Sequence, residues 1–402
     1  MKRLVSTYLL AAFCLLNARP ALAQAWEPYN ELYDIYPSAL LAMSHVRGDP
    51  DDEANRHNLG DLNGLMGIQF TATRPDTRVR LTMTCTGGLA LFGKATVDVT
   101  VPTADEPYLI APVVPFDEVS LATVWQTQST YVTYEVTVDG RPLPTRTERL
   151  LVHPVNVCPF GVSHDQDEYT SVDFLLAAYV NEDHPQVERI LQEALRKGYV
   201  RAFVGYQGGR LAVYRQVMAI WRVLQERGIT YSNITTTVAD NEHVNSQHVR
   251  FIDESLANAQ ANCVDGSVLL ASILRKIGIE PTLITIPGHM FVGFDVDEAG
   301  AQQAYLETTL LGTAPGEVKV KNTPLARSLL GTDDRVGPSG KDNRNADVER
   351  FIAALQRGDK TYAEHKRDLE RERDGFSIVR VAEARQFGIL PIMYVGKAAA
   401  DR

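Results

Sequence analysis

Apolar and polar residues alternate over most of the segment from about residue 62 to residue 157. A period of two is typical of β-strands with one buried face, and residues 131–138 show it most clearly. This run ends in Asp139-Gly140, a dipeptide typical of tight hairpin turns. Because Pro and Gly separate the short runs at fairly regular intervals, we predict an all-β, immunoglobulin-like sandwich over residues 61–160.

Helical spacing replaces this alternation after the predicted sandwich. Apolar residues recur on one face over residues 211–225, and Gly228 is typical of a helix end. Short β segments then extend to about residue 308, and residues 319–402 have a mostly helical pattern. We therefore predict an α+β protein, in which residues 24–60 form an irregular segment, residues 161–318 a second domain and the remainder a helical tail.

The N-terminus has the pattern of a secretory signal peptide over residues 1–23. Two cations precede an apolar run at residues 4–16, and small residues at 21 and 23 predict cleavage before Gln24. A membrane anchor is the alternative, although the run is short for a bilayer, and a lipid anchor at Cys14 is another. We expect export to the periplasm or the medium, with no transmembrane segment in the cleaved chain.

Composition narrows the classes of function. The chain has 402 residues, 45% hydrophobic and 22% charged, which is typical of globular proteins and not of disordered or collagen-like chains. Its formal net charge of -10 favours a surface that repels phosphate backbones, so we expect no nucleic-acid partner. We find no spacing typical of a metal or cofactor site, and we expect neither.

The cysteine count is odd once the predicted signal peptide is removed. Cys85, Cys158 and Cys263 remain, and an odd number in an exported protein leaves one thiol over. Cys85 and Cys158 lie in strand-like sequence, so we predict a disulfide bond between them and a free thiol at Cys263. The alternative for a free Cys263 is a buried, unreactive thiol.

Cys263 begins a predicted helix. Asn262 is a good N-cap and Gly278 a good terminator, and the residues between them are apolar on most sides, which indicates a buried helix. The first helical position combines unpaired backbone amides with the positive end of the dipole, and it therefore favours a thiolate at Cys263. Asp265 is placed to accept hydrogen bonds from amides of this first turn.

A histidine and a carboxylate follow on neighbouring predicted strands. His289 opens a strand after a Pro287-Gly288 turn, and Glu307 lies on the next strand. Thiol-based acyl transfer requires this set of groups: Cys263 attacks a carbonyl carbon, His289 moves the proton and Glu307 orients the imidazole. The sequence therefore predicts a catalytic site made by these three residues.

The oxyanion of such a reaction needs hydrogen-bond donors. The backbone amide of Cys263 is one candidate, and a side-chain amide would be the second. We place Gln247 first for this role, ahead of Gln260 and of Asn262, which is expected to be occupied as the N-cap.

Four short segments carry a resemblance to a known family: Asn262-Cys263-Val264-Asp265, Arg275-Lys276-Ile277-Gly278-Ile279-Glu280-Pro281, Pro287-Gly288-His289-Met290-Phe291-Val292-Gly293 and Leu306-Glu307-Thr308-Thr309. Together they resemble the bacterial transglutaminase-like superfamily over about residues 247–311. The resemblance implies a papain-like α+β fold for residues 161–318, with Cys263 as nucleophile and His289 as base. Glu307 stands where the family has Asp, and Met290-Phe291 replaces a small residue followed by Trp.

The order of Cys263, His289 and Glu307, together with the predicted signal peptide, favours an exported enzyme of thiol-dependent acyl transfer. Hydrolysis of a peptide or isopeptide amide is the preferred reaction, because the resemblance does not by itself imply crosslinking. The expected substrate is therefore a protein or peptide. A non-catalytic scaffold or binding module and a true crosslinking transglutaminase are the alternatives. In each case the β-sandwich is the expected place for contacts with a partner.

Overall fold

The computed structural model describes residues 25–164, 168–232, 241–314, 316–331 and 341–393, so the predicted signal peptide lies outside it. The fold is mixed α+β, with several sheets. The chain divides into two compact units. Among the described residues, the first unit holds 25–175, 241–247 and 387–393, and the second unit holds 176–232 and 248–386.

Strands dominate the first unit. Its elements in chain order are β1 (Ala25–Asn30), α1 (Pro37–Met43), β2 (Asn58–Gly60), β3 (Met66–Thr71), β4 (Thr77–Thr86), β5 (Lys94–Val101), β6 (Pro107–Ala111), α2 (Glu118–Ala122), β7 (Gln128–Val138), β8 (Arg141–Pro142), β9 (Arg146–Val152), β10 (Val157–His164) and β11 (Glu168–Ser171). One sheet has the order β1-β3-β6-β2, and a second has the order β5-β4-β7-β8 with β9 also paired to β7.

The two larger sheets of the first unit contribute to one apolar core. Ile68 and Ile110 enter it from one sheet, and Leu81 and Val136 from the other. Burial alternates along β7 as the sequence pattern predicted, and positive φ angles at Asp139 and Gly140 form the predicted turn. The strands predicted over this segment are therefore confirmed.

Residues 25–60, predicted to be irregular, contain regular elements. Strand β1 pairs along its whole length with β3, and Trp26 lies in the core. Helix α1 begins with Pro37 at its first turn, a position where the missing N–H of proline does no harm. The pattern of this segment is weak because its burial depends on a strand that lies about 40 residues further along the chain.

The predicted disulfide between Cys85 and Cys158 is absent, and both thiols are free and buried. Cys85 lies on β4, with its Sγ 3.2 Å from Oγ1 of Thr130. Cys158 lies on β10 of a different sheet, and its burial and the charge of Asp173 raise its thiol pKa well above the ordinary value. The prediction was wrong because strand-like surroundings do not specify which strands become neighbours.

The second unit combines helices with an antiparallel sheet. The remaining elements in chain order are α3 (Pro185–Arg196), α4 (Arg210–Glu226), β12 (Thr230–Tyr231), β13 (Val244–His248), α5 (Ile252–Asn258), β14 (Gln260–Ala261), α6 (Cys263–Lys276), β15 (Pro281–Ile286), β16 (His289–Asp295), β17 (Gln303–Leu306), α7 (Pro324–Leu330), α8 (Lys341–Leu369), β18 (Ser377–Arg380) and α9 (Val381–Phe387). Of these, β13 up to Gln247 belongs to the first unit, in a sheet of order β11-β10-β13.

The sheet of the second unit has the order β17-β16-β15-β18, and α6 packs on β15 and β16. The predicted helix at Cys263 and the predicted strands after it are confirmed. The tail predicted as mostly helical also contributes β18, which pairs with β15. Among the residues that the structure describes, no helix has the length and apolarity to cross a membrane.

Candidate active site

The start of α6 is held by a reciprocal capping arrangement. The side chain of Asn262 accepts hydrogen bonds from the amides of Val264 and Asp265, each at 2.9 Å. The carboxylate of Asp265 in turn accepts from the amide of Asn262 at 3.0 Å. The predicted roles of Asn262 and Asp265 are confirmed, and Cys263 occupies the first position of the helix.

Asp265 has a second partner that the sequence did not reveal. Its fully buried carboxylate accepts from the backbone amide of Arg250 at 2.8 Å and from Nη1 of Arg250 at 2.7 Å. Arg250 lies just before α5, and its side chain is also buried. The guanidinium offsets the negative charge that Asp265 brings to the helix start.

His289 begins β16 directly after the predicted turn, in which Gly288 has a φ of +73°. Its Nε2 lies 2.8 Å from Oε2 of Glu307. Its imidazole side chain is 25% exposed, and its ring packs against that of Phe291 at a centroid distance of 6.1 Å. This partial exposure leaves the imidazole open to a substrate while its orientation is fixed by the carboxylate.

Glu307 is buried at the point where β17 ends and a short 3-10 helix, Thr308–Leu310, begins. Its Oε1 accepts from the amide of Thr309 at 3.2 Å and from its hydroxyl at 2.7 Å, which leaves Oε2 for His289. Burial by itself raises the pKa of Glu307, but the bonds to His289 and Thr309 hold that pKa below its ordinary value. The carboxylate is therefore ionised beside the imidazole.

Cys263 completes the group. Burial by itself lowers the pKa of His289, but hydrogen bonding to Cys263 and Glu307 and the charges of both raise it to about 9. Because Nε2 faces Glu307, Nδ1 is the ring nitrogen left for the thiol of Cys263. The structure thus brings together the three residues that the sequence predicted as a catalytic site.

The carbonyl side of Cys263 is closely packed. Its oxygen accepts from the hydroxyl of Ser267 at 2.7 Å and from that of Thr308 at 3.4 Å. A Cβ placed on Gly266 would lie 3.0 Å from Cβ and Oγ1 of Thr308, so the glycine allows the 3-10 helix to approach α6. The glycine therefore determines how close Thr308, the residue after Glu307, lies to α6, which begins with Cys263.

Tyr231 is a further neighbour that the sequence did not single out. It lies on β12, opposite Ala261 of β14, and 42% of it is exposed. Burial and the charges of Cys263 and Glu307 raise the pKa of its hydroxyl. Tyr231 is therefore an exposed aromatic side chain close enough to Cys263 and Glu307 to be affected by their charges.

The candidate oxyanion donors belong to different units of the chain. Asn262 is engaged as the N-cap, as expected, and Gln260 is half-buried on β14. Gln247 lies on β13, in the first unit, whereas Cys263 lies in the second, so its role stays a prediction. Within the described part of the chain, no group of three or more His, Cys, Asp or Glu side chains has an arrangement that would hold a metal ion.

Comparison of the sequence with known protein families and with curated proteins found no match.

Proposed function

We propose that this protein is a thiol-dependent acyl-transfer enzyme of the transglutaminase-like type, which hydrolyses a peptide or isopeptide amide through a thioester on Cys263. The observation that carries the proposal is the 2.8 Å contact between Nε2 of His289 and Oε2 of the buried Glu307, with Cys263 near enough to His289 to raise its pKa. A half-exposed thiol at a helix start, with an oriented imidazole beside it, is the arrangement that nucleophilic catalysis by cysteine requires.

The reaction follows from these positions. The thiolate of Cys263 attacks the substrate carbonyl carbon, and the backbone amide of Cys263 donates to the oxyanion. The carbon–nitrogen bond then breaks, and the imidazolium of His289 gives its proton to the leaving amine. Water attacks the thioester while His289 takes a proton from it, and the products are a carboxylic acid and the regenerated thiol. Glu307 keeps Nε2 engaged throughout, so that Nδ1 remains directed at the reacting atoms.

We also propose a fold for each unit and a destination for the chain. The packing of α6 against the antiparallel β17-β16-β15-β18 sheet supports a papain-like domain. The single apolar core between two sheets in the first unit supports an immunoglobulin-like sandwich, which would contact a partner. The pattern of residues 1–23 supports export to the periplasm or the medium.

Alkylation of the full chain with iodoacetamide near pH 6 tests the activated thiol. An ordinary thiol is less than about 1% ionised at this pH, so we expect Cys263 to react at least about tenfold faster than glutathione. Cys263→Ser should abolish labelling within residues 24–402, because the other two cysteines of that part of the chain, Cys85 and Cys158, are buried. Labelling of Cys263 at the rate of glutathione would contradict the proposal and favour a non-catalytic scaffold.

A labelled primary amine separates hydrolysis from crosslinking. Hydrolysis predicts release of a carboxylic acid from a glutamine-bearing peptide without incorporation of the amine, and His289→Asn should abolish the release. Incorporation of the amine into the peptide would assign the protein to crosslinking transglutaminases. Intact-mass analysis after rapid acid quenching detects the acyl adduct on Cys263 that both reactions require.

A further inference from the structure

Helix α8 runs unusually close to the edge strand β17. A Cβ placed on Gly358, within this helix, would lie 2.5 Å from the carbonyl carbon and oxygen of Tyr305 and 2.7 Å from the amide nitrogen of Leu306. Real Cβ atoms do not come so close to backbone atoms, so only glycine allows this approach. Glycine is unfavourable inside helices, and its presence here is explained by the contact.

The same stretch of α8 accepts hydrogen bonds from backbone amides of β17 and of Glu307, the residue that follows it. Strand β17 pairs with β16 on one side only, and alternate amides of an edge strand point away from its partner. The amide of Glu307 donates to the carbonyl oxygen of Ala354 at 3.1 Å, and the amide of Tyr305 donates to Oδ1 of Asp359 at 3.2 Å. The helix therefore binds the backbone of Glu307 directly, through Ala354, which lies one turn before Gly358.

We propose that Gly358 is a positioning residue for catalysis, because it lets α8 hold the backbone of Glu307 where the carboxylate meets His289. This proposal rests on the proposed function. Two hydrogen bonds then fix the position of the carboxylate: Ala354 accepts from the backbone amide of Glu307, and the hydroxyl of Thr309 donates to its Oε1. Through α8, the C-terminal part of the chain thereby helps to position the carboxylate of Glu307.

The variant Gly358→Ala tests this role. The added Cβ forces α8 and β17 apart, which weakens the bond between Glu307 and His289. Loss of a neighbouring carboxylate changes a pKa by about one unit or more. We therefore expect the titration midpoint of His289 to fall from about 9 by about one pH unit.

Carbon-13 NMR of the full chain with labelled histidine measures this midpoint, and His289→Asn assigns the resonance. Glu307→Gln provides the benchmark shift. In the double variant Gly358→Ala/Glu307→Gln the midpoint should equal that of Glu307→Gln alone, because Gly358 acts through the carboxylate. Arg357→Ala, an exposed neighbour on the same helix, is the matched control and should leave the midpoint unchanged.

A second pair of variants keeps the test decisive if Gly358→Ala does not fold. Asp359→Ala removes an acceptor for Tyr305 and should lower the midpoint of His289, whereas Asp359→Asn keeps an acceptor oxygen and should restore it. A shift with Glu307→Gln but none with Gly358→Ala or Asp359→Ala would overturn the positioning role and leave the proposed site intact. A wild-type midpoint near the ordinary histidine value would overturn both proposals.

Discussion

At the scale of single residues, the site depends on how one imidazole is shared. Nε2 of His289 faces Oε2 of Glu307, and Oε1 of the same carboxylate is occupied by Thr309. Burial lowers the pKa of His289, but Cys263 and Glu307 raise it to about 9. The imidazolium is therefore the form present at neutral pH, ready to protonate a leaving amine.

The contribution of His289 to stability should decrease as the pH rises from about 6.5 to about 9. A group whose pKa is raised by folding stabilises the protein fully below its unfolded pKa, about 6.5 for histidine, and this contribution is lost as the pH rises through the folded value. We expect a loss on the order of 2 kcal/mol, measured by urea unfolding across this range. His289→Asn should lack this part of the pH dependence, and identical profiles for the two proteins would contradict the assignment.

The hydroxyl of Thr309 should contribute measurably to stability. Thr309→Val keeps the shape of the side chain but removes the donor to the buried Glu307, so we expect a loss of about 1 kcal/mol in the free energy of unfolding. Thr309→Ser keeps the donor and serves as the control in the same urea titration. Equal losses in the two variants would show that the hydrogen bond has no such role.

At the scale of secondary-structure elements, the start of α6 is supported by a buried ion pair. Arg250→Met leaves the carboxylate of Asp265 buried without its cation, which is expected to reduce the free energy of unfolding by about 3–5 kcal/mol. Arg357→Met, at an exposed position, should change it by less than about 0.5 kcal/mol. Chemical unfolding compares the two variants, and similar small effects would argue against the pair as the support of the helix start.

Elements with local signals could be predicted from the sequence, and their long-range contacts could not. Asn262 and Gly278 mark the ends of α6, and the Pro287-Gly288 turn places His289 at the start of β16, so the order of the candidate site follows from short patterns. The contact of α8 with β17 leaves only one signal in the sequence, which is a glycine at residue 358 inside a helical pattern. Strand-like sequence around Cys85 and Cys158 did not indicate which strands would be neighbours, so the disulfide prediction failed.

At the scale of the whole molecule, the C-terminal part of the chain contributes to both units. Helix α8 and strand β18 belong to the second unit, whereas residues 387–393 belong to the first. Within the first unit, the amide of Leu390 donates to the carbonyl oxygen of Ala42 in α1 at 3.1 Å, and Ile389 and Ile392 are buried. No linear cut between two domains reproduces this division, because neither unit is one continuous stretch of the sequence.

Truncation after residue 386 should therefore loosen the first unit selectively. We expect amide exchange in α1 to accelerate by at least about tenfold, with β16 unchanged, in hydrogen–deuterium exchange followed by mass spectrometry. Truncation after Met393 leaves every described element in place and is the control. Equal acceleration of amide exchange in both units would contradict the division of the chain into two units.

The burial of Cys85 and Cys158 gives a practical advantage in a chain that begins at Gln24, the predicted cleavage point. A thiol-selective dye added to the folded protein meets one half-exposed sulfur, Cys263, whereas denaturation opens all three. The ratio of dye bound before and after denaturation therefore reports what fraction of a preparation carries an intact, unmodified nucleophile. Specific activities can then be expressed per competent molecule and not per milligram.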